Sequence, residues 1–258
     1  MKLADGAVKE SLTEILKQHY VKNRSLDNYF LLPGKRHGNY EYNDLRVSMH
    51  RLSFPIDTMH GMATEALGFE VRETAREKNG NPYIGNIDRE EALRLNLVLG
   101  NATFNLRQFF DFKEYLESGK VYDGNGKIID NRIVESVWNE IFGKRDPWRG
   151  EHLDARFENK NEIWYMHRDH RLADGVLTPS YSEPLEECLM GNDEISSVNI
   201  NQQGMPVRKH SFSYWGPTMS NSVARFRADS DWVGLDCFWD PRFSGSGLGV
   251  RAVEILEK

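Results

Sequence analysis

Five short runs of this 258-residue chain hold side chains capable of chemistry. The run HRDH, His167 to His170, brings two imidazoles and a carboxylate together, the residue types of a metal pair or a phosphoryl-transfer loop. On a strand, positions 167 and 170 face opposite sides, and no glycine-rich phosphate loop or correctly spaced asparagine accompanies them; a solvated strand is expected. GSGLGVR resembles a nucleotide-binding turn, but Val250 stands where the third glycine of G-x-G-x-x-G belongs and eight residues follow, too few for the helix and strand of that motif. Cys237 is a nucleophile by type, yet no histidine adjoins it to take its proton, so a small buried hydrophobe is expected. Arg149, Glu151, His152 and Asp154 within PWRGEHLD form a dense charge run, which more often solvates a surface or locks a loop onto a core than catalyses. Asp123 and Asn125 begin like a calcium loop, but Lys127 occupies the next ligand position. No catalytic residue, metal ligand or cofactor is assigned, and a non-enzymatic role is expected.

The stretch SDWVGLDCFWDPRFSGSGLGVR, residues 230 to 251, sustains neither the period of a strand nor that of a helix. Tyr214, Trp215, Arg227, Phe238, Trp239, Arg242 and Phe243 are the types that supply most binding energy at interfaces, with serine and glycine beside them for adaptable contacts. The competing reading of these rings is core, since aromatic side chains are so often buried.

The elements that must hold this stretch are legible in outline. An amphipathic helix is expected over 5–20, capped by Asp5, with Val8, Leu12, Ile15 and Leu16 on one face. Tyr40, Tyr42, Leu45, Val47 and Met49 suggest short extended pieces after Pro33 and Gly34. Further helices are expected over 57–68, with Asp57 as cap, over 105–118, and in NRIVESVWNEIF. VYDGNGKIID has the glycines of a hairpin turn. HLDARFENKNEIWYMHRDHRL reads as two strands joined at 159–161, and short strands and long loops follow it. A single α+β body results.

Composition narrows the partners. A net charge of −6 argues against a nucleic-acid backbone as ligand, which would call for clustered Lys and Arg. Mean hydropathy of −0.62 and the lack of a long apolar run argue against a membrane span, and the charged opening residues lack the apolar region of a Sec signal peptide. Two cysteines, Cys188 and Cys237, make no disulfide framework, and two free thiols are expected.

NSVARF, SDW, SGSGLGVR and PLEECL read as fixed framework between irregular positions. With FFDFKEYLESGKVYDGNGK, RDPWRGEHLDARF and SEPLEECLM, over about Tyr29 to Val253, the chain resembles the archaeal variable proteins of diversity-generating retroelements. The resemblance implies a C-type lectin fold of the formylglycine-generating-enzyme type, with short strands, long loops and two or more helices. Residues 28–258 would form this domain, with a variable region at about 212–251, and residues 1–27 an N-terminal helical extension outside it. It further implies that adenine-directed errors scatter AAC and AAT codons over many residue types while other codons stay fixed. Arg227, Asp229, Gly234, Asp236, Phe238, Asp240, Arg242, Phe243, Gly245 and Gly247 all lie within the set such codons reach. Trp239 does not, and requires another adenine-containing codon such as AGG.

The expected function is therefore ligand binding through a hypervariable C-terminal face, directed at a protein or cell-surface ligand by a monomer displayed on a surface or virion. Phe238, Trp239, Arg242 and Phe243 would be anchors, with Tyr214, Trp215, Arg227, Asp229, Asp236 and Asp240 setting shape and charge. Trp232, Leu235, Cys237, Leu248 and Val250 are expected beneath them as core, with Arg251 pinning the last turn. Two alternatives are an enzyme of formylglycine-generating type and a structural or virion-assembly protein that self-associates through the same rings. Calcium-dependent sugar binding lacks a suitable acidic and amide motif.

Overall fold

The computed structural model describes residues 2–54, 56–190, 192–195, 199–207 and 212–257, with side chains from residue 11 onward except at 192–195 and 212. Met1 and Lys258, the outer limits of the two expected domains, lie outside the described residues. In chain order the elements are α1 (Lys2–Asn23), β1 (Tyr29–Leu32), β2 (Arg36–His37), β3 (Tyr40–Glu41), β4 (Leu45–Arg51), α2 (Thr58–Leu67), β5 (Glu73–Arg76) and β6 (Pro82–Ile84). Then follow α3 (Arg89–Val98), α4 (Leu106–Glu117), α5 (Asn131–Phe142), β7 (Arg149–Lys160), β8 (Ile163–Ala173) and β9 (Val176–Pro184). The last are β10 (Asn192–Ile195), β11 (Phe212–Trp215), β12 (Ser222–Ala228), β13 (Val233–Trp239), β14 (Leu248–Gly249) and β15 (Arg251–Ile255).

The chain is a mixed α+β protein with two main sheets. One has three strands in the order β1-β4-β15, so a strand near each end of the described chain meets on β4. The other has eight strands, in the order β10-β11-β13-β12-β7-β8-β9 with β14 added on β7. The larger core lies between α4, α5 and the inner face of the second sheet. Phe109 and Phe142 pack on Phe226 at ring distances of 5.0 and 5.2 Å, and Leu153, Ala155, Phe157, Leu235 and Cys237 extend the layer. A second core joins α1, α2 and α3 to the segment after β14: Leu16, Tyr20, Met59, Ala63, Leu95, Val250 and Ala252 are buried together.

Local chemistry explains where the helices begin. Asn105 caps α4 in a capping box with Gln108, and Asp88 caps α3 in the same way with Glu91. The second box, in DREE, marks a helix that the apolar pattern alone does not predict. The opening helix starts at Lys2, so Asp5 lies inside it and is not its cap, and Leu16 and Tyr20 carry its buried side while Ile15 is exposed. Asp57 precedes α2 without a side-chain cap bond, and Gly68, in the left-handed region at φ 80°, ends it. The β7–β8 turn falls at Asn161 and Glu162, both with positive φ, because Lys160 pairs with Ile163. The N-terminal helix thus contributes to a core rather than standing off the body.

The charge run of PWRGEHLD is an internal lock. Arg149, Glu151, His152 and Asp154 are all buried. Glu151 holds Arg251 at 2.6 Å and Arg51 at 3.5 Å, while Glu140 of α5 holds Arg51 at 3.0 Å, Arg149 at 2.9 Å and Arg145. Glu77 completes the set: burial alone would raise its pKa, but the His50 hydrogen bond and the charges of Arg251 and Arg51 bring it below its ordinary value. Both sheets and α5 are tied at this point, and Arg251 does fasten the last strand as expected, also donating to the Ser48 carbonyl at 2.8 Å.

Candidate recognition face

Strand alternation divides the second sheet into two chemistries. Ala224 and Phe226 of β12 enter the core, whereas Val223, Arg225 and Arg227 point to the opposite face with their cross-strand partners. The register sets three rows across β7, β12 and β13: Arg156–Val223–Trp239, His152–Arg225–Asp236 and Gly150–Arg227–Gly234. A register shift between Val223 and Arg225 brings Trp239 over the middle row.

Arg225 is the centre of this face, and it is 1% exposed. Its Nε donates to Asp236 Oδ2 at 3.2 Å, its guanidinium lies 3.4 Å from the Trp239 ring and 4.8 Å from the Phe243 ring, and Trp239 Nε1 donates to the same Asp236 oxygen at 2.9 Å. Desolvated cation–ring contacts of this kind contribute about 2 kcal/mol. Burial pushes the Arg225 pKa down to about 10, which the Asp236 charge only partly offsets, and burial likewise raises the Asp236 carboxyl. Both Nη atoms of Arg225 and Nδ1 of its cross-strand neighbour His152 are buried without a hydrogen-bond partner among the described residues. His152 donates from Nε2 to the Ile87 carbonyl at 3.0 Å, and burial holds its pKa at about 3.

Above this frame the rings are neither sealed nor free. Phe238, Trp239 and Phe243 are partly exposed, with Trp239 at 5.4 Å from Phe238 and 4.5 Å from Phe243. Asp240 and Arg242 are exposed and paired at 3.1 Å. A second partly exposed cluster follows along the face: Trp215 packs on Trp232 at 4.4 Å, Arg227 lies 4.0 Å from the Trp232 ring, and Asp229 pairs with Arg227 at 3.3 Å. Asp229 also accepts the amides of Asp231 and Trp232 at 2.9 Å each, which fixes that turn.

Several sequence expectations change at this point. Tyr214 is not on the surface; it is fully buried and its hydroxyl donates to the Leu189 carbonyl at 2.9 Å. Asp236 is buried too, because it is the counter-ion of Arg225. Gly234 and Gly247 are interior for a steric reason, since a Cβ would stand 2.2 Å from the Ser213 carbonyl oxygen in the first and 2.5 Å from that of Trp148 in the second. Gly245 is partly exposed beside Trp148. Trp232, expected as core, is instead partly exposed, because the backbone turn at Asp229 lays its ring against Trp215. Leu235, Cys237, Leu248 and Val250 are core as expected. Cys188 and Cys237 are free thiols, Cys188 pushed up to about 11 by burial and Cys237 likewise raised well above the ordinary thiol value by burial.

HRDH is not solvated. His167, Arg168 and His170 are buried, and the left-handed Asp169 at φ 54° breaks the alternation. His167 therefore reaches Glu158 at 3.0 Å and His170 reaches Asp154 at 2.5 Å, two carboxylates on one face of β7. Sequence reading names HRDH and Asp154 separately without pairing them, and assigns no role to Glu158 or Arg225; the signal available for Arg225 was its place beside Arg227 in SVARFRA.

The fold and face define a mixed α+β protein whose aromatic and arginine side chains converge at one end of its principal sheet. No family profile, curated protein or solved structure matches the chain.

Proposed function

We propose that this protein binds a ligand through the face formed by Phe238, Trp239, Asp240, Arg242 and Phe243, on a C-type lectin scaffold diversified by retroelement-mediated adenine mutagenesis. The observation that carries the reading is the division of labour across β13: residues from 238 to 243 reach solvent, while Arg225, Asp236, Leu235 and Cys237 directly beneath are buried. Such a surface changes its side chains without removing the groups that hold its backbone. Meeting of strands near the two chain ends in the β1-β4-β15 sheet, with long excursions between them, supports the scaffold. Trp215, Arg227, Asp229 and Trp232 extend the surface as a second patch. The ligand is a protein or cell-surface molecule, the protein acts as a monomer, and it has no enzymatic role.

The test is genomic. The encoding DNA is expected to carry a second near-identical copy of the segment for residues 212–251, differing mainly at adenines, beside a reverse-transcriptase gene. A locus with neither feature overturns the diversification reading. Positions 234 and 247 are expected to be invariant between variants of the protein even where their codons contain adenine, because a Cβ at either would stand against backbone atoms, and position 236 is expected to stay acidic wherever Arg225 is kept.

A further inference from the structure

Beside the recognition face runs a cleft of about 680 Å³, lined by Arg156 of β7 and His170 of β8, by α3, by Val176 and Leu177 at the start of β9, and by Met219 and Trp239. Its apolar groups are open to water: Val176 is 61% exposed and Met219 52%, with Leu177 and Trp239 partly exposed. Both apolar ends are pinned. Arg94 donates to the Gly175 carbonyl at 2.8 Å and so ties the turn before Val176 to α3, while Ser220, next to Met219, accepts the Asn159 amide at 3.0 Å.

The charges of the cleft are spent within the protein. Glu90 holds Arg94 at 2.8 Å, Asp240 holds Arg242 at 3.1 Å, and Asp154 holds both Arg89 at 2.8 Å and His170 at 2.5 Å. Glu158 stands 4.0 Å from Arg156, and Asp88 is engaged in capping α3. An ion entering here would lose hydration and find its counter-charges already paired, whereas an uncharged side chain would displace water from Val176, Met219 and the Trp239 ring. Methionine suits such a place, because its unbranched, polarisable side chain adapts to the shape laid against it.

The apolar lining also stands apart from the side chains proposed to vary. Val176 and Leu177 precede residues 212–251, and methionine, like tryptophan, is not reached from AAC or AAT codons by changes at adenine. We infer that this cleft is a constant docking site for an uncharged apolar segment of a protein partner, an aliphatic or aromatic side chain laid against Val176, Met219 and Trp239. Phe238, Asp240, Arg242 and Phe243 beside it supply the part of the contact that changes. The inference rests on the proposed recognition role and names the chemistry of the one element that the ligands of different variants share.

Selection of a random peptide library displayed on phage against the immobilised full-length protein, followed by anisotropy titration of the enriched peptides, tests it. The peptides are expected to share an uncharged apolar core and to bind equally at low and high salt. Met219→Asp and Val176→Asp are each expected to weaken that binding roughly tenfold or more, with unchanged unfolding midpoints because both side chains stand in solvent. Selection on a protein carrying Phe238→Ser, Asp240→Ser and Phe243→Ser is expected to return the same apolar core with different flanking residues. No enriched peptide, an acidic consensus whose binding falls with salt, a different core from the triple variant, or full binding to both aspartate variants each overturns the assignment. Full binding to the aspartate variants that is lost in the triple-serine protein removes the cleft alone and leaves the recognition face in place; full binding to all three removes both.

Discussion

Glu140→Ala is expected to destabilise the protein by about 3–5 kcal/mol, the cost of leaving the buried Arg149 without its counter-charge and Arg51 with only its longer contacts to Glu151 and Glu77. Glu140 accepts from Arg51 at 3.0 Å and from Arg149 at 2.9 Å, it takes Arg145 as well, and it receives the Lys78 amide at 2.9 Å. Arg51 and Arg149 have side chains 2% and 1% exposed, so water does not replace the lost carboxylate. A loss of this size is a large share of the stability of an ordinary domain, and Glu140→Gln, which keeps the acceptor oxygen, is expected to fall between. Urea unfolding at neutral pH reads the effect as a shift in midpoint. The same network gives way to acid. Because the folded pKa of Glu77 lies below its ordinary 4.5, the stability it contributes is complete above that pH and is lost as pH falls through the folded value. A Glu140→Ala midpoint equal to wild type shows that the arginines find other partners, and removes the network as the tie between the sheets.

Asp236→Ala is expected to cost a similar amount, about 3–5 kcal/mol, although this residue lies in the stretch predicted to vary. It is the partner of a guanidinium that is itself 1% exposed, and it also receives Trp239 Nε1. Without it Arg225 retains two rings and, among the described residues, no charge partner. The paired change Arg225→Met with Asp236→Leu is expected to restore most of the loss, since burying two apolar groups avoids desolvating two ions. In contrast, Asp240→Ala and Arg242→Ala are expected to leave the unfolding midpoint where it was, because that pair lies in solvent. Should Asp236→Ala unfold at the wild-type midpoint, the pair is dispensable and position 236 belongs with the variable set.

The contrast shows what a sequence discloses and what it withholds. Helices with a wide apolar stripe and a polar cap, such as α4 and α5, were legible because burial of one face imposes a period on the chain. Helix α3 was not, because Arg89 and Asn96 are buried within it and interrupt that period; Asp88 and Glu91 carried its start instead. In β13 the sequence marked Leu235 and Cys237 as core, as the structure has them. It could not reveal that the outer face is itself covered: α3 and the segments around Ile87 and Phe243 lie over it, which buries Arg225, Asp236 and His152. Residue type suggested surface for Tyr214 and core for Trp232, and tertiary packing reversed both. Asp169 and its left-handed backbone had no sequence signal, so the placement of His167 and His170 against β7 was beyond reach of periodicity.

The most direct measurement of the central claim is a comparison of two displayed libraries scored by protease resistance, one randomised at Phe238, Asp240, Arg242 and Phe243 and the other at Arg225, Gly234, Asp236 and Gly247. Most members of the first are expected to fold and most of the second to be digested. Equal survival in the two libraries, or collapse of the first, contradicts the picture of a replaceable surface carried on a fixed interior.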